Sequence, residues 1–486
     1  MKFFLFFISA SSLWKEDLII EPDYNGGSIF GHSIASCRTR TQLIVGAEWE
    51  TVNQIEQLGT VYIYEISFNN VSKNSQSRLL HEIIPNPTYT YQEKTINISN
   101  FGSHVAFNDD CTRIIAGAPK STVNGIKNAG AILIYDLKDN NWNMTSILTN
   151  SVPIEEGGFG RNLEISHNGK ILASASFNSP SETAIDLVGS VSIYEENTNH
   201  EWINTGTFYP NNFYKSRFGS DLQFTDQSTL LIASNDQDEN ISIGTSIIKR
   251  TLDGWKFDSD VPIPSEAQDN LTQFGTYISM PLNAPTIIAL TSKRDTEQRI
   301  YIMNKDNHRA WSQKPLEIIE IPKNTTLNNV QFCDSDLLAS SGTFNTLSSK
   351  PGDGVVHLWR RGYTGHFELF QVLTPVSELP YLGFGSSIAF NRRCNMIYIG
   401  AHAKQSSTDP NPHYAYNYSR VYVFRDAEME RPFQNASHNE EAAIAIITVI
   451  SFGVVLIVVI TIFCLRKRTS TSQILKIGSI TKVEDN

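Results

Sequence analysis

The stretch FGSHVAFNDDCTRIIAGAP, from Phe101 to Pro119, decides the fold of this 486-residue chain. It opens with Phe-Gly, continues through an alternating run and a turn, and ends in an apolar run with a glycine sixteen residues after the phenylalanine. Phe-Gly recurs at steps of 71, 58, 59 and 56 residues and then of 110, two steps of 55, so one copy has lost the pair near Thr326-Leu327. Such a period indicates a repeat architecture. The pairs begin at Phe30, Phe101, Phe159, Phe218, Phe274 and Phe384.

Each copy continues with two more strand signals. A third run leads with glycine and alternates aliphatic and aromatic residues, as in GTVYIYEI from Gly59 and GAILIYDL from Gly130. A fourth run ends in proline, which suits an outer edge strand because an edge can lose an N–H donor. Seven copies of four strands predict an all-β fold, a seven-bladed β-propeller over residues 16–426. These prolines are Pro85, Pro153, Pro210, Pro264, Pro322 and Pro375.

The seventh copy lacks a fourth strand of its own. The segment Asp17-Leu18-Ile19-Ile20-Glu21-Pro22 matches the proline-ended run and lies eight residues before Phe30. We therefore expect this N-terminal segment to pair with the seventh blade and close the ring, which leaves only short outer edges.

Phe-Gly followed by an apolar strand ending in Gly-Ala-Pro resembles the FG-GAP repeat of integrin α-subunit propellers and their protist and bacterial relatives. The resemblance covers residues 16–426 and implies an adhesion-type or ligand-binding ectodomain. Relatives often bind Ca²⁺ between the first two strands, but the turns at 107–111, 166–169 and 390–393 carry too few carboxylates. Asp109 and Asp110 are interpreted as turn formers. No metal and no cofactor are predicted.

Integrin α-subunits have long stalk domains, whereas only residues 427–441 separate the predicted propeller from the next segment. The family's juxtamembrane Gly-Phe-Phe-Lys-Arg motif is replaced by Cys464-Leu465-Arg466-Lys467-Arg468. No integrin β-subunit partner is therefore expected.

Four of the five cysteines precede residue 442 and allow three connectivities. Cys37 and Cys333 share one phase in their copies, and Cys111 and Cys394 share another. Cys37 and Cys111 fall in the adjacent copies one and two, and Cys333 and Cys394 in the adjacent copies six and seven, with the same offset around the same turn. This phase predicts the disulfides Cys37–Cys111 and Cys333–Cys394 in an oxidising compartment. Zinc binding is the competing interpretation, but no Cys-x-x-Cys or histidine spacing supports it.

Two apolar segments predict the topology. Residues 1–12 have a basic start, a short apolar run and small residues, as in a signal peptide. Residues 442–465 contain no charge, are long enough to span a bilayer as a transmembrane α-helix, and precede Arg466-Lys467-Arg468. Positive charge on the cytosolic side gives a type I orientation with a cytosolic tail at 466–486. The plasma membrane is predicted, with an endomembrane location as the alternative.

Eight Asn-x-Ser/Thr sequons precede the predicted membrane segment, and used sequons mark exposed loops. They start at Asn70, Asn97, Asn143, Asn240, Asn270, Asn324, Asn417 and Asn435.

Binding is a better interpretation than catalysis. The chain has no His-Glu-x-x-His, no Gly-x-Ser-x-Gly and no phosphate-binding glycine-rich loop. Its net charge of −11 argues against nucleic acid. The longest loops on one face of a propeller would be 86–100, 118–129, 176–188 and 401–418. The last of these loops holds the predicted ligand-binding residues Asp409, His413, Tyr414, Tyr416 and Tyr418. Phe213 and Tyr214 are predicted ligand-binding residues on a neighbouring type of loop, and for all seven a structural role in packing the loops is the alternative.

We therefore expect a non-enzymatic surface protein that binds an extracellular protein or glycan as an adhesion or receptor-like molecule. A lumenal cargo receptor or lectin-like protein of the secretory pathway is the alternative. A propeller hydrolase is the third candidate.

Overall fold

A computed structural model describes residues 14–22, 28–69, 74–179, 188–210, 217–234, 244–267, 273–281, 283–294, 297–306, 310–323, 325–344, 354–375, 383–402 and 419–426. These residues form strands and turns, with one 3-10 helix at Ser265–Ala267. Among them, no helix has the length and apolar character needed to span a bilayer. The predicted signal peptide (1–12), stalk (427–441), membrane segment (442–465) and tail (466–486) lie outside the described residues.

The described strands form seven four-stranded antiparallel sheets and one three-stranded sheet. In blades 1 to 6 the strands pair in chain order, each beside the next. The chain begins with β1 (Trp14–Ile20), followed by β2 (Ser33–Ser36), β3 (Gln42–Ala47), β4 (Thr60–Asn69) and β5 (Asn74–Ile83) of blade 1, by β6 (Thr88–Tyr91) and β7 (Lys94–Asn97), and by β8 (Val105–Phe107), β9 (Arg113–Ala118), β10 (Thr122–Val123), β11 (Ala131–Lys138) and β12 (Asn141–Leu148), of which all but β10 form blade 2. Blade 3 has β13 (Leu163–Ile165), β14 (Ile171–Ser176), β15 (Ser190–Glu196) and β16 (Trp202–Phe208), and blade 4 has β17 (Leu222–Asp226), β18 (Thr229–Ile232), β19 (Ser246–Thr251) and β20 (Gly254–Asp260). Blade 5 has β21 (Gln273–Ser279), β22 (Ile287–Arg294), β23 (Glu297–Asn304) and β24 (Glu317–Glu320), blade 6 has β25 (Thr325–Phe332), β26 (Leu337–Phe344), β27 (Gly354–Arg361) and β28 (Phe367–Leu373), and blade 7 has β29 (Phe384–Phe390), β30 (Met396–Ala401) and β31 (Arg420–Asp426).

Strand β1 completes blade 7, as predicted. It pairs antiparallel with β31, and Leu18, Ile19 and Ile20 lie opposite Val423, Tyr422 and Val421. The innermost strands contact one another in the cyclic order β2, β8, β13, β17, β21, β25, β29 and back to β2. The sheets therefore form a closed ring of seven blades, with β1 beginning at Trp14, two residues before the predicted start.

The Phe-Gly repeat builds the junctions between blades. All six phenylalanine side chains of the pairs are fully buried. The glycine near the end of the second strand lies against the Phe-Gly backbone of the next blade: a Cβ at Gly46 would stand 1.9 Å from the carbonyl oxygen of Gly102, and one at Gly117 would stand 1.9 Å from that of Gly160. Only glycine leaves room for this contact, because Cβ atoms do not approach backbone so closely. Ring closure uses the same contact, since a Cβ at Gly400 would stand 2.0 Å from the oxygen of Gly31.

The sixth copy keeps the geometry without the motif. Thr326 pairs with Thr343 in the register in which Phe384 pairs with Ala401 in blade 7. The backbone N–H of Leu327 donates to the side-chain oxygen of buried Gln298 from blade 5. A polar side chain therefore supports the junction between blades 5 and 6, where the missing phenylalanine would otherwise be buried.

Both predicted disulfides are present. Cys37–Cys111 joins blades 1 and 2, and Cys333–Cys394 joins blades 6 and 7, each with its Cα atoms 5.7 Å apart. All four cysteines lie in turns between a first and a second strand. We call this end of the strands the turn face, and the opposite end, where second strands lead into third strands and each blade into the next, the loop face.

Candidate functional site

The loop face carries two features beyond the blades, a small sheet and an acidic pocket. The small sheet has the order β10-β7-β6. Its Val123 and Thr122 pair with Ile96 and Asn97, so the loops predicted at 86–100 and 118–129 lie together. Ile96 and Val123 are buried, while Thr88, Thr90, Thr95 and Asn97 are exposed. The sheet therefore has one face packed on the ring and one polar face toward solvent.

The sequence-predicted ligand residues are not tested by this geometry. Phe213, Tyr214, Asp409, His413, Tyr414, Tyr416 and Tyr418 lie outside the described residues. Of the sequons, Asn97 on β7 and Asn143 on β12 are described, and both asparagines are exposed. The others also lie outside the described ranges: Asn70, Asn240, Asn270, Asn324, Asn417 and Asn435.

The loops between second and third strands have the same construction in blades 1 and 2. Val52 and Ile55 exchange two backbone hydrogen bonds of 3.1 and 2.9 Å around Asn53 and Gln54, which both have positive φ. In blade 2, Val123 and Ile126 exchange equivalent bonds of 3.0 and 2.9 Å around Asn124 and Gly125. The sequences TVNQIEQLG from Thr51 and TVNGIKNAG from Thr122 carry this shared turn.

Glu50 and Ser121 occupy equivalent places just before these turns. The N–H of Glu50 donates to the Ala47 carbonyl at 3.2 Å, and the Glu50 carbonyl accepts from Gly59 at 3.1 Å. Ser121 makes the same two bonds with Ala118 and Gly130, at 3.1 and 3.0 Å. Glu50 is not among the residues predicted from the sequence, although an alignment of the two loops places this glutamate where blade 2 has Ser121.

A pocket of about 360 Å³ opens beside Glu50. It is lined by Glu50, Thr51, Val52, Asn53, Gln54, Tyr62, Leu79 and Glu82. Glu50 is only 5% exposed, and its carboxylate accepts the Tyr62 hydroxyl at 2.7 and 2.9 Å. Burial raises the pKa of Glu50 above its usual value, an effect that the hydrogen bond from Tyr62 opposes and the charge of Glu82 reinforces. We call this site the acidic pocket.

Histidines lie near the inner strands on the same face. The His32 and His402 rings stand 5.1 Å apart, and His32 Nε2 lies 3.6 Å from Glu48 Oε1. Burial lowers the pKa of His104 to about 4, with nearby His32 acting in the same direction. Among the residues that the structure describes, no group of three or more His, Cys, Asp or Glu side chains could hold a metal ion.

Deeper in the ring, a carboxylate joins two blades. The two oxygens of Asp221 accept the backbone N–H groups of Leu222 and Ile278 at 2.9 and 3.0 Å, and burial raises its pKa to about 7. Because these bonds connect blade 4 to blade 5, we assign Asp221 a role in ring assembly.

On the turn face, Asp109 and Asp110 are the central residues of the predicted turn, in which the N–H of Cys111 donates to the Asn108 carbonyl at 3.0 Å. Asp109 also makes ion pairs outside the turn. Its Oδ1 lies 2.9 Å from Arg38 Nη1 and 3.2 Å from His167 Nδ1, so it links three blades. The turn bonds belong to Asn108, whose Oδ1 accepts the N–H groups of Thr112 and Arg113 at 2.9 Å each. Asp109 and Asp110 therefore keep their predicted turn positions, and the Asn108 side chain adds hydrogen bonds that support the turn.

Comparison with solved structures supports the ring and gives no function. The chain is similar to the RRP9 WD40 repeats with a TM-score of 0.51 at 11% identity, over 85% of this chain and 100% of that one. It has the fold of a β-propeller. The Dos1 propeller gives 0.48 at 11% identity over 86% and 96% of the chains, and an oligogalacturonate lyase in complex with manganese gives 0.45 at 11% over 86% and 99%. No protein-family model and no curated protein matches the chain.

Proposed function

We propose that this propeller is the ligand-binding ectodomain of a single-pass type I protein of the plasma membrane, and that it binds an extracellular protein or glycan through its loop face. One observation carries the proposal: β6, β7 and β10, which belong to no blade, form a small sheet on the loop face, and its Ile96 and Val123 pack in one hydrophobic cluster with Val52 of the acidic pocket. Loops on a rigid scaffold are where binding residues concentrate.

The topology of the ring fits this role. Both β1 and β31 have their outer chain ends, Trp14 and Asp426, on the turn face. The ring therefore begins and ends on the turn face, and the loop face carries neither of these two ends. The apolar segment 442–465 and the two disulfides support a secretory-pathway protein, since disulfides persist in oxidising compartments.

We also propose that the repeats are of the FG-GAP type. The buried Phe-Gly pairs and the glycines at 46, 117 and 400, which share one contact, support this. Because only residues 427–441 separate the propeller from the apolar segment, and the juxtamembrane motif is replaced, the protein is proposed to act without an integrin β-subunit.

Two experiments test the proposal on the full-length chain. Epitope tags after residue 12 and at residue 486 test the orientation: in unpermeabilised cells only the first should bind antibody. Surface biotinylation then separates the plasma membrane from a lumenal cargo receptor, because a lumenal protein would stay unlabelled and its glycans would remain immature.

Proximity crosslinking on intact cells tests ligand binding. Recovery of a specific extracellular protein or glycoconjugate would support the proposal. Turnover of a substrate by the purified chain would instead favour a hydrolase.

A further inference from the structure

The acidic pocket exists because three side chains of blade 1 differ from their equivalents in blade 2. Ser121, Leu133 and Ile147 are buried in blade 2, and Leu133 lies opposite Ile147 across β11 and β12. In blade 1 the corresponding residues are Glu50, Tyr62 and Glu82, with Tyr62 opposite Glu82 across β4 and β5. A packed corner has thus become an open, charged one.

The backbone does not require this change. Ser121 makes the same turn in blade 2. In blade 3 the backbone carbonyl of Ser179 accepts the N–H of Gly189, as the backbone carbonyl of Glu50 accepts that of Gly59. A carboxylate buried at such a position costs free energy that serine would avoid. We infer that Glu50 serves a ligand and not the fold.

The pocket presents hydrogen-bond acceptors and negative charge. The single proton of the Tyr62 hydroxyl is directed at Glu50, so it is not offered to a ligand. Among the described residues, no lysine or arginine forms an ion pair with Glu50 or Glu82. Val52 and Leu79 give the wall an apolar part. The volume of about 360 Å³ lies in the range of small-ligand sites.

We propose that the acidic pocket receives a basic side chain, an arginine guanidinium or a lysine ammonium, from a protein ligand. The charged head binds Glu50 and Glu82, and the aliphatic stem packs along Leu79 and Val52. Guanidinium offers a planar fork that matches carboxylates, which favours arginine. A glycan fits less well because its hydroxyls carry no charge to balance two carboxylates. This inference rests on the proposed function and names the chemistry of its ligand.

The test uses the purified full-length chain and surfaces coated with one of three peptides, Ac-Gly-Arg-Gly-amide, Ac-Gly-Lys-Gly-amide or the citrulline analogue of the first. The chain should bind the arginine surface at least tenfold more strongly than the citrulline surface, which has the same shape without charge. Equal binding to both would overturn the proposal, as would binding that only methyl glycosides displace.

Two variants localise the effect. Glu50→Ser with Tyr62→Leu gives blade 1 two of the three blade 2 residues and leaves the exposed Glu82 unchanged, so the chain should fold with an unchanged melting temperature and lose at least tenfold in arginine binding. Glu56→Gln removes an exposed charge from the same loop and should leave binding unchanged. An equal loss in both would mean general charge attraction and would overturn the assignment to the pocket.

Acidity supplies a further readout. Glu50 faces Tyr62 from β4 and Glu82 from β5, and burial raises its pKa, so binding should weaken as the pH falls below neutral. A pH-independent affinity would count against Glu50 as the contact.

Failure of the pocket and failure of the proposed function give different results. If cells capture a partner equally through the wild type and the Glu50→Ser, Tyr62→Leu variant, the pocket inference is wrong and the loop-face function stands. If the arginine surface binds but cells capture no ligand, the pocket stands and the surface role is wrong.

Discussion

The hydroxyl of Tyr62 lies 2.7 Å from one carboxylate oxygen of Glu50 and 2.9 Å from the other. Both residues are at least nine-tenths buried. Burial raises the pKa of Tyr62, and the negative charge of Glu50 raises it further, so the phenol keeps its proton and remains a donor. The pair thus holds a charge inside the protein while the pocket stays open.

Removal of the Tyr62 hydroxyl should show how much free energy it costs to bury the Glu50 carboxylate without its hydrogen-bond donor. Tyr62→Phe leaves the buried carboxylate without the phenol, and we expect the free energy of unfolding at pH 7 to fall by about 1–3 kcal/mol. In the Glu50→Ser background the same change should cost much less, because no charge remains to be stabilised. Denaturant titration of the four proteins of this double-mutant cycle gives the coupling. Additive effects would show that the two side chains do not depend on each other.

The glycine contacts between blades should be highly sensitive to substitution. Gly117→Ala places a Cβ 1.9 Å from the Gly160 carbonyl oxygen, which requires the two blades to separate. We expect a loss of about 3 kcal/mol, at the upper end of the range typical of overpacked cores. Gly125→Ala is the control: its φ is +83°, but nothing lies within 4 Å, so it should cost only about 1 kcal/mol. Similar melting temperatures for the two variants would contradict the close-approach explanation.

The ring could be predicted from the sequence because its requirements are local and repeated. The glycine sixteen residues after the phenylalanine and the leading glycine of the third strand both meet the Phe-Gly backbone of the next blade, as Gly46 and Gly59 do at the junction of blades 1 and 2. Several junctions therefore leave the same trace in the sequence, although position 175 in blade 3 is alanine. The phase of Cys37 and Cys111 gave the disulfide for the same reason. Even the sixth junction could be positioned from the phase of its strand, although Gln298 could not be anticipated as the side chain that supports Leu327.

The small sheet and the pocket could not be predicted in this way. Strands β6 and β7 are joined by Gln92 and Glu93, which adopt positive φ without the Asn-Gly sequence that marks such hairpins. The third strand, β10, has only two residues. The pocket exists because Glu50, Tyr62 and Glu82 do not fill the space that is packed in blade 2, and no local sequence pattern around Glu50 predicts this volume. It appears only when blade 1 is compared with blade 2 in three dimensions.

The two disulfides should stabilise the junction between blades 1 and 2 and the junction between blades 6 and 7. These junctions flank the closure of the ring between blades 7 and 1. Cys37–Cys111 spans 74 residues and Cys333–Cys394 spans 61, and loop-closure entropy for such spans predicts about 4 kcal/mol each. Cys37→Ser with Cys111→Ser, and separately the second pair, should each lower the unfolding midpoint. Reduction and alkylation of the wild type should match the loss of the two pairs together. An unchanged midpoint after complete reduction would contradict this role.

His357 should make the ring sensitive to acid. It is 2% exposed on β27, its Nδ1 has no described hydrogen-bond partner, and burial lowers its pKa to about 4. In the unfolded chain the pKa is about 6.5, so between these values the unfolded state binds the extra proton and stability falls as the pH falls. From pH 7 to pH 5 this single group should remove about 2 kcal/mol from the free energy of unfolding.

The substitution His357→Leu measures how much of the pH-dependent loss of unfolding free energy comes from this histidine. The variant should lose about 2 kcal/mol less than the wild type between pH 7 and pH 5, while His104, whose pKa is also lowered to about 4, keeps part of the slope in both proteins. His366→Leu serves as the control because its side chain is 67% exposed. Denaturant titrations at the two pH values measure the difference. If His357→Leu and the wild type lose equal stability, the buried imidazole is already protonated at pH 5 at no cost, and the packing around β27 must admit water.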